Sequence, residues 1–572
     1  MTLNLVSDPW IEVLDKVQNE PRIVSLRTLF KNTAQFQRLA GETDAQDLAI
    51  LRWLEAILIT VYSRVNVDGD LYEWLTDDDQ LDPDFEPEDC RDDLIDTWLS
   101  LQQKGSFGQP VIDYLEQHQA EFDFDCPNGL YQVSFDEYNT LVPAQKRLIK
   151  EKVNSENIGT VLIKQINRRV SESGNTPALF AQKKGSRYLN EISRPELVRW
   201  LLAYQSYAGT SDKVKTISCD QGKAGISRGW LYQLDPVYVE RDNLFETLLF
   251  NLVLVVDESQ WSPIQKPAWE ERDKVAWIQR LTPTYYPNNL AELYTLPSRI
   301  LYIPWERPNL QIYQAGTPNL SPENFFLEPM TTWRVRKKSR KAPITYSPNT
   351  IRKESLYRRM WQNFACYVPT GKEENVMPGS WKWLSVTLTN NGASLPSQLR
   401  IINTNLVSDG NATSNMPVAD YSDRLSLRPE LVLDSVIAKK LLPQVERILS
   451  EINELVDRSY YGLLKTWADL QSIDTRKNTS ILNIKKAMMY QRLDAPLKEW
   501  IQELKPTDSQ NTLVSGKQIA GRVILKSIKL DLDRQINPRL WTRKINGDEK
   551  SYFTAREIFV KKVRHQMGLE EG

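Results

Sequence analysis

Apolar side chains recur every three or four positions in several stretches of the chain, a spacing that is typical of helices. The longest stretch near the start is 43–62, which opens with a capping-box pattern of Thr43 and Gln46. Shorter apolar stretches predict further helices at 94–103, 197–207 and 243–256. The N-terminal half of the chain therefore contains buried helices separated by long irregular segments.

Short apolar runs bounded by turn residues predict strands between these helices. We expect strands at 10–13 and 22–24, and a strand with a turn within 122–133. Two further strands are predicted within 293–303 and 333–341. Predicted strands and helices thus mix along this part of the chain, as in an α+β fold.

A hairpin and then a series of amphipathic helices are predicted in the last third of the chain. Strands at 398–407 and 416–420 flank the loop 408–415, in which Asp409-Gly410 favours a tight turn. Apolar stripes then follow at 445–456, 481–493, 518–530 and 554–563, the last opened by Thr554 and Glu557. We therefore predict an α+β domain over residues 1–428 and a C-terminal four-helix bundle over 429–572.

Composition indicates a soluble globular protein with more than one domain. The 572 residues are 41% hydrophobic and 26% charged, and 72 Lys and Arg against 74 Asp and Glu give a net charge of −2. Affinity for nucleic acid must then come from local patches. The four cysteines form no C-x-x-C pair, which favours a reduced, cytoplasmic location. No secretory signal and no membrane span are expected, because the start MTLNLVSDPW lacks a long apolar run and residues 244–256 are too short.

Few residues suited to catalysis occur in the sequence. His118 and His565 are the only histidines, so a histidine-based metal site or triad is not expected. Gly222-Lys223 is not followed by Ser or Thr, so the segment around it is not a Walker loop. We predict no catalytic residue, no metal and no cofactor, although the abundant carboxylates leave a carboxylate-metal site open.

A glycine- and lysine-containing segment at 206–230 stands between two apolar helices. Glycine lets the backbone approach a ligand closely, and free amides with cations suit an anionic partner such as a phosphate backbone. The alternative is an ordinary surface loop. The residues concerned are Gly209, Lys213, Lys215, Gly222, Lys223, Gly225, Arg228 and Gly229.

Two other segments are locally basic. Residues 164–184 carry paired cations on either side of Leu179-Phe180, and such a loop either docks on nucleic acid or is solvated. If 333–341 is a strand, alternate basic residues share one face and suit phosphate contacts; the alternative is a solvated edge strand. The candidate phosphate contacts in these segments are Lys183, Lys184, Arg334, Arg336, Lys337 and Lys338, with Lys213 and Lys215 from the glycine segment.

Taken in order, these parts resemble the large subunit of the type I-E CRISPR surveillance complex, Cascade, over essentially the whole chain. The opening LVSDPWIEV is similar to the family's N-terminal strand motif. Leu130–Tyr131–Gln132–Val133 is similar to its Pro-Phe-x-Gln segment, without the Pro and Phe. The most specific match is Gly229-Trp230 after the glycine segment, followed by NLFETLLFNLV at 243–253.

The resemblance implies a non-catalytic DNA-recognition subunit. In this family the N-terminal domain recognises the protospacer-adjacent motif in duplex DNA from the minor groove. A hairpin then acts as a wedge that parts the first base pairs, so that the guide RNA can pair. The bundle touches the small subunits and helps lock the opened strands. A basic loop meets the 5′ end of the CRISPR RNA and the adjacent backbone subunit, and the complex recruits a helicase–nuclease in antiviral defence.

The same resemblance assigns roles to residues of this chain. The glycine loop falls on Ala208, Gly209, Thr210 and Ser211, the motif-contacting cation on Arg299, the wedge on Gly410, Asn411 and Ala412, and the guide- and motif-sensing loop on Leu179, Phe180 and Ala181. Two alternatives of other classes are a structural scaffold subunit of a ribonucleoprotein and a carboxylate-metal nuclease.

Overall fold

The structure is a computed structural model of an α+β protein, as the sequence predicted, and it divides into two compact units. Unit 1 comprises Met1–Lys353, Pro378–Ala393 and Ile402–Ser422, and unit 2 comprises Glu354–Met377, Ser394–Ile401 and Asp423–Gly572. The residues that the structure describes are 2–76, 81–82, 87–153, 161, 166, 192–209, 214–220, 225–256, 262–306, 310–324, 328–336, 344–370, 375–389, 395–408, 417–474, 479–507, 510–537, 541–545 and 547–569.

The core of unit 1 forms around the helix Asp44–Tyr62. Its N-cap is Thr43, whose side chain accepts the N–H of Gln46, as the capping pattern predicted. The helix is buried on all sides, which explains why it is apolar nearly all round. The helices Arg194–Ser206 and Leu290–Thr295 pack directly against it. Further helices of unit 1 are Leu26–Lys31, Pro87–Lys104, Gly108–Gln117, Phe135–Leu141, Lys150–Val153, Ile217–Asp220, Leu244–Asn251, Lys274–Arg280 and Gly379–Leu384.

Small sheets surround this helical core. The strand Ile11–Asp15 lies between Pro21–Val24 and Phe36–Leu39 and is antiparallel to both. Arg299–Tyr302 pairs with Tyr313–Gly316, and Trp333–Arg336 pairs with Thr345–Pro348, each antiparallel. In a fourth sheet, Leu399–Ser408 lies between Pro417–Leu427 and Val237–Glu240. The two arms of the predicted hairpin are therefore hydrogen-bonded neighbours, and the second arm is longer than expected.

Three local predictions in unit 1 were wrong in part. Within 293–303, the strand covers only Arg299–Tyr302, because Asn289 caps a helix at Leu290–Thr295 by accepting the N–H of Glu292. Residues 122–133 form turns and isolated bridges instead of a strand. The helix predicted at 243–256 ends at Asn251. Short apolar runs do not distinguish helix from strand, and tertiary contacts decide between them.

Unit 2 is a four-helix bundle with additions. The first helix runs as Ser435–Glu454, a π-helical turn at Leu455–Tyr460, and Tyr461–Leu470. The other three are Thr479–Glu503, Gln510–Ile528 with a π-helical end at Lys529–Asp533, and Tyr552–Gln566. Helix Gln510–Ile528 contacts all of the other three, at Ser435–Glu454, Thr479–Glu503 and Tyr552–Gln566. The short helix Pro429–Leu433 precedes the bundle, and the short strand Asn375–Val376 also belongs to this unit.

The last bundle helix differs from expectation at its start. Its N-cap is Ser551, which accepts the N–H of Thr554, so the predicted capping residue lies three positions too late. A hairpin of Thr542–Ile545 and Asp548–Ser551 precedes it and was not predicted. The hairpin packs against Tyr461–Leu470.

The boundary between the units was placed by sequence at 428, whereas the main segment of unit 2 begins at Asp423. Unit 2 also includes Glu354–Met377, far from the bundle in sequence. Tyr357 and Trp361 of that segment pack against Tyr490 in the bundle, with ring centroids 5.8 and 5.9 Å apart. A cut after residue 428 would therefore separate aromatic side chains that pack together.

Candidate nucleic-acid interface

Arg299 lies at the first position of its strand and is completely buried. Its guanidinium donates hydrogen bonds to the backbone carbonyls of Ser227 at 2.8 Å and Ser298 at 2.7 Å. It also donates to the carbonyl of Gly209, the second of the four predicted DNA-contacting positions in the glycine loop and the last of them that the structure describes. A buried cation needs such acceptors to offset its lost hydration. In this structure the arginine thus fixes the backbone at both ends of the glycine segment.

Gln205 strengthens the same anchor from the end of the helix Arg194–Ser206. Its side-chain oxygen accepts the N–H groups of Ser298 at 2.9 Å and Arg299 at 3.0 Å. Its side-chain nitrogen donates to the carbonyl of Arg299 at 2.9 Å. The side-chain amide of Gln205 therefore fixes the helix end against the strand. Ala208 and Gly209, which follow the helix, thus begin from a fixed position in the backbone. Both of these residues are buried.

The far end of the glycine segment returns to the same helix end. Gly229 has φ of +90°, a conformation that favours glycine, and a Cβ there would lie 2.1 Å from the carbonyl oxygen of Ser206. The next residue, Trp230, stacks on Tyr294 with ring centroids 5.3 Å apart. Between these ends, Lys215 forms a parallel bridge with Gly316 and is half-buried. The segment is thus rooted at both ends in the core.

A short stretch after Trp230 connects this segment to the hairpin arms. The carbonyl of Leu234 accepts a hydrogen bond from the side chain of Asn405 at 2.9 Å, and the carboxylate of Asp235 accepts one from Asn403 at 3.1 Å. Thr332, which precedes the basic strand, also donates to Asp235. Burial raises the pKa of Asp235 to about 6, and the two hydrogen bonds oppose that shift. One carboxylate therefore ties the hairpin to the basic strand.

The basic strand Trp333–Arg336 has the alternation that the sequence predicted. Arg334 and Arg336 are both exposed, whereas Trp333 is buried. Arg336 donates to the hydroxyl of Ser347 on the paired strand at 2.7 Å. Arg334 lies two residues after Thr332, which donates to Asp235, and its charge lowers the pKa of that carboxyl. The described residues thus bring an exposed basic face close to the hairpin arms.

Several predicted site residues lie outside the described part of the chain, and their roles stay predictions. They are Leu179, Phe180, Ala181, Lys183, Lys184, Thr210, Ser211, Lys213, Lys337, Lys338, Gly410, Asn411 and Ala412.

Unit 1 also contains a cleft of about 1150 Å³ beside this region. Glu270 in the cleft binds Arg64 at 2.6 and 2.9 Å and accepts the hydroxyl of Tyr114 at 2.7 Å. Lys274 donates to the backbone carbonyls of Asn128 at 2.8 Å and Gln132 at 3.1 Å, and burial lowers its pKa. These charged groups are thus engaged with protein partners.

Two other kinds of feature, a cluster of metal ligands and a membrane-spanning helix, are absent from the described residues. No group of three or more His, Cys, Asp or Glu side chains there is placed to hold a metal ion. No helix among them has the length and apolar character needed to cross a membrane.

The residues that anchor the glycine segment and the hairpin arms were not predicted as anchors from the sequence. Gln205 and Asp235 are ordinary polar residues at helix and strand ends, and their partners lie 93 and 168 positions away in sequence. The sequence places Gly229 in the glycine segment and in a Gly-Trp pair, but it does not predict its role at the base of the segment. Its positive φ was the one local feature that a turn-forming glycine could have suggested.

The described residues define a class of protein: an α+β chain with a rooted glycine segment beside a hairpin in one unit and a helical bundle in the other. Residues 4–526 match the family model described as CRISPR-associated protein Cse1, and the chain belongs to this family. The resemblance drawn from sequence is therefore confirmed at the level of the family. A comparison with curated proteins finds no match.

Solved structures show that the fold extends over the whole chain. Cse1 of Thermobifida fusca has a TM-score of 0.71 at 20% identity, covering 100% of this chain and 99% of that one. Cse1 of Acidimicrobium ferrooxidans has 0.66 at 16% identity, covering 99% of each chain. CasA of Thermus thermophilus has 0.66 at 16% identity, covering 100% of each chain. At these identities the likeness establishes the shared fold.

Proposed function

We propose that this chain is the non-catalytic DNA-recognition subunit of an RNA-guided Cascade complex. It recognises a short motif in duplex DNA and opens the duplex beside it, so that a guide RNA can pair. The observation that carries this proposal is the anchoring of the glycine segment by Arg299, next to hairpin arms held by Asp235. Such rooting suits a loop that must present backbone to a groove without moving away from it.

Recognition would fall on the residues just beyond the anchor, Thr210 and Ser211, with Lys213 and Lys215 near the phosphates. Minor-groove hydrogen bonding discriminates base pairs weakly, so a protein that contacts this groove tolerates several motifs. That tolerance is acceptable because guide–target pairing supplies the sequence specificity. Arg299 would act here as a positioning residue, since its guanidinium is buried against the loop backbone.

The hairpin tip, at Gly410, Asn411 and Ala412, would open the DNA duplex beside the motif. Displacing one or two stacked steps costs about 1.4 kcal/mol per step, and the heteroduplex then restores this energy. The arms must be held firmly if the tip is to part base pairs. Asn403 and Asn405 hold the first arm through side-chain hydrogen bonds to residues 234 and 235. The exposed Arg334 and Arg336, followed by Lys337 and Lys338, would contact phosphates beside the opened pair.

The partners follow from the family and from one of the matched structures, a CRISPR RNA-guided surveillance complex that matches at TM-score 0.61 and 14% identity. We propose that the chain assembles in the cytoplasm with CRISPR RNA, the backbone subunits, the small subunits and the subunit at the guide 5′ end. Leu179, Phe180 and Ala181, with Lys183 and Lys184, would contact the guide RNA. The assembled complex would recruit a separate helicase–nuclease, so the chain needs no catalytic residue, metal or cofactor.

The role of Arg299 is tested by substituting it in the reconstituted complex and measuring binding to a motif-bearing duplex. Lysine keeps the charge but cannot reach all three carbonyls, so Arg299→Lys should weaken binding about tenfold, nearly as much as Arg299→Ala. The slope of log affinity against log salt should not change, because no phosphate contact is lost. A direct contact predicts the reverse: lysine retains binding, and alanine reduces the slope by about 0.9.

Two further variants complete this test. Gly209→Asp adds a carboxylate and a Cβ at the loop root, and it should also weaken motif binding while leaving guide-RNA assembly intact. Arg447→Lys, on the exposed surface of unit 2, is the matched control and should bind as wild type. If all variants at 209 and 299 bind the motif normally, the recognition site has been misplaced.

The hairpin is tested with Asn411→Ala on a linear target and on a target whose first pairs beside the motif are mismatched. We expect slower strand opening on the paired target, little change in initial duplex binding, and recovery of most of the rate on the mismatched one. Equal impairment on both targets would show that the tip has a structural role only.

A further inference from the structure

The second arm of the predicted hairpin, Pro417–Leu427, carries an aspartate on its buried face. The side chains of Tyr421, Asp423, Leu425 and Leu427 are all buried, in the alternation that is typical of a strand with one covered face. The other three are apolar or aromatic, whereas Asp423 brings a carboxylate to this face and is only 6% exposed. A buried carboxylate is costly unless it has charged or hydrogen-bonding partners. Asp423 therefore needs specific partners, and the structure supplies a backbone amide and a lysine.

The partners of Asp423 belong to two separate elements of unit 2. Its Oδ2 accepts the N–H of Met360 at 2.7 Å. Met360 begins the short 3-10 helix Met360–Cys366, and the first amide of a helix has no acceptor within that helix. The Oδ1 of Asp423 accepts a hydrogen bond from the ammonium of Lys498, which lies 75 positions further along the chain on the bundle helix Thr479–Glu503. One carboxylate thus joins the strand to two helices.

Each partner is held in place by a contact of its own. In the short helix, the carbonyl of Gln362 accepts a hydrogen bond from Asn453 of the first bundle helix at 3.0 Å. The ammonium of Lys498 also pairs with Asp494, one turn earlier on its own helix, at 3.0 Å. The Lys498 side chain is only 20% exposed, so its ammonium has little freedom to move. Asp423 is therefore bound to two fixed points of unit 2.

The second arm passes from one unit into the other at this aspartate. Residues 417–422 of the arm belong to unit 1, and Asp423 is the first residue of the arm in unit 2. The first arm is held within unit 1, where Asn403 and Asn405 bind residues 234 and 235. Asp423 holds the second arm within unit 2. Each arm of the hairpin therefore has an anchor of its own.

An ion pair at this point constrains the strand in a way that an apolar contact would not. Replacing a buried ion pair by apolar residues often leaves stability unchanged or raises it, so such a pair is weak evidence for a stabilising role. Its geometry is strict, however, because hydrogen-bonded charges must face each other at short range. Apolar side chains instead tolerate repacking. The Asp423–Lys498 pair therefore fixes the position of the arm along its own length.

We propose that Asp423 and Lys498 are positioning residues for duplex opening. By holding the second arm lengthwise, they set how far the hairpin tip reaches towards the first base pair beside the motif. This inference rests on the proposed function, in which the tip parts that base pair. Stacked base pairs push the tip back along its arms, and a second arm without its anchor would yield. The alternative is that the pair only stabilises unit 2, and the two roles predict different results.

The test measures motif binding and duplex opening separately in the assembled complex. A duplex with the motif but no match to the guide reports motif binding alone, and 2-aminopurine at the first target base pair reports opening. Lys498→Met leaves the buried carboxylate without its cation. We expect opening to slow about tenfold, because a misplacement of about 1 Å is costly where groups must be oriented. Motif binding should be unchanged, and a target already mismatched beside the motif should recover most of the opening rate.

A second variant separates position from stability. Asp423→Asn combined with Lys498→Met removes the buried charge of both partners, so the melting temperature should recover relative to Lys498→Met alone. The asparagine oxygen can still accept the N–H of Met360, so the short helix keeps its acceptor. Opening should nevertheless stay slow, because the strand is no longer tied to the bundle helix. Recovery of the opening rate together with the melting temperature would overturn the proposal and leave the pair a structural role only.

Lys486→Met is the matched control. Lys486 lies on the same helix as Lys498, its side chain is 15% exposed against 20%, and it pairs with Asp457 of the bundle at 3.1 Å. Its loss should lower the melting temperature to a similar extent without slowing the opening. Equal slowing in the two lysine variants would show that any loss of bundle stability slows opening, which contradicts the proposal.

Combination with Asn411→Ala shows whether the ion pair acts through the tip. If it does, Lys498→Met should add little further slowing to Asn411→Ala, since changes within one coupled element are not additive. Slowing that multiplies would mean that the pair acts by another route, and it would overturn the proposal. Normal opening in both Lys498 variants, with slow opening in Asn411→Ala, counts against this inference alone. Normal opening in Asn411→Ala, with slow opening in Lys498→Met, counts instead against the role of the tip in the proposed function.

Discussion

Buried and half-buried arginines bind different kinds of acceptor in the two units: backbone carbonyls in unit 1 and a side-chain carboxylate in unit 2. In unit 1, Arg299 donates to backbone carbonyls of residues that begin and end loops. In unit 2, Arg492 binds both carboxylate oxygens of Asp531, one of them at 2.8 Å, and so joins two helices through side chains. The first kind of contact fixes the path of an irregular backbone, and the second fixes the packing of regular elements. Substitutions at the anchors of unit 1 should therefore disturb recognition as well as stability, whereas those at the Arg492–Asp531 ion pair of unit 2 should disturb stability alone.

The largest effect is expected from Gly229→Ala. The left-handed conformation costs a residue with a Cβ about 1–2 kcal/mol, and the clash with the carbonyl of Ser206 adds to it. We expect a loss of about 3 kcal/mol or more in the free energy of unfolding, measured by denaturant titration. Gly225→Ala is the matched control: its Cβ would meet nothing within 4 Å, so the change should stay within about 0.5 kcal/mol.

A smaller effect is expected from Arg492→Ala in the bundle. Removing one partner of a buried pair costs about 3–5 kcal/mol, but Arg492 is 32% exposed, so we expect about 2 kcal/mol. Arg458→Ala breaks a highly exposed pair with Glu454 and should cost under about 0.5 kcal/mol. Thermal unfolding compares the two. Motif binding should be unchanged in both variants, and a selective loss of it in Arg492→Ala would erase the contrast between the units.

An effect of another kind, a change in the pH dependence of stability, is expected at Asp235. Its pKa in the folded protein, about 6, lies above the ordinary value of 3.8, so the folded state holds the proton more tightly. The free energy of unfolding should therefore fall as the pH rises from about 4 to about 6 and then level off. This carboxyl group contributes at most about 1.4 kcal/mol per pH unit to that fall. Asp235→Asn should remove that part of the slope in unfolding titrations, and Asp68→Asn, at an exposed position, should not. An unchanged slope in Asp235→Asn would mean that the buried carboxyl does not titrate in this range.

The structure of unit 2 was predicted better from the sequence than that of unit 1, because its elements depend on local patterns and those of unit 1 depend on distant contacts. The bundle helices were predicted because the periodicity of Val445, Ile448, Leu449 and Ile452 is local, and each residue is indeed buried. The cap at Thr43 was also a local pattern. In unit 1 the decisive contacts join distant segments, such as Gln205 to Ser298, and no local pattern reports them. The hairpin before the last helix was missed because its strands are short and polar.

The candidate site shows the same division. The sequence indicated the glycine segment, the basic strand and the hairpin arms, and the structure gives the strand and the arms the expected secondary structure. It assigned Arg299 to DNA by resemblance, whereas the buried guanidinium contacts the loop backbone in this structure. Burial of a single cation depends on packing from several elements, so composition and spacing could not reveal it.

The double rooting of the glycine segment bears on how such a protein changes its preference over evolution. The intervals 210–213 and 221–224 each lie between positions already bonded to the core, at Gly209 and Val214 and at Asp220 and Gly225. Doubling the length of a closed loop costs only about 0.6 kcal/mol of chain entropy. Insertions in these two intervals therefore cost the fold little chain entropy, while the anchors stay in place. Selection can vary the sequence of these intervals and leave the anchors of the stable fold unchanged.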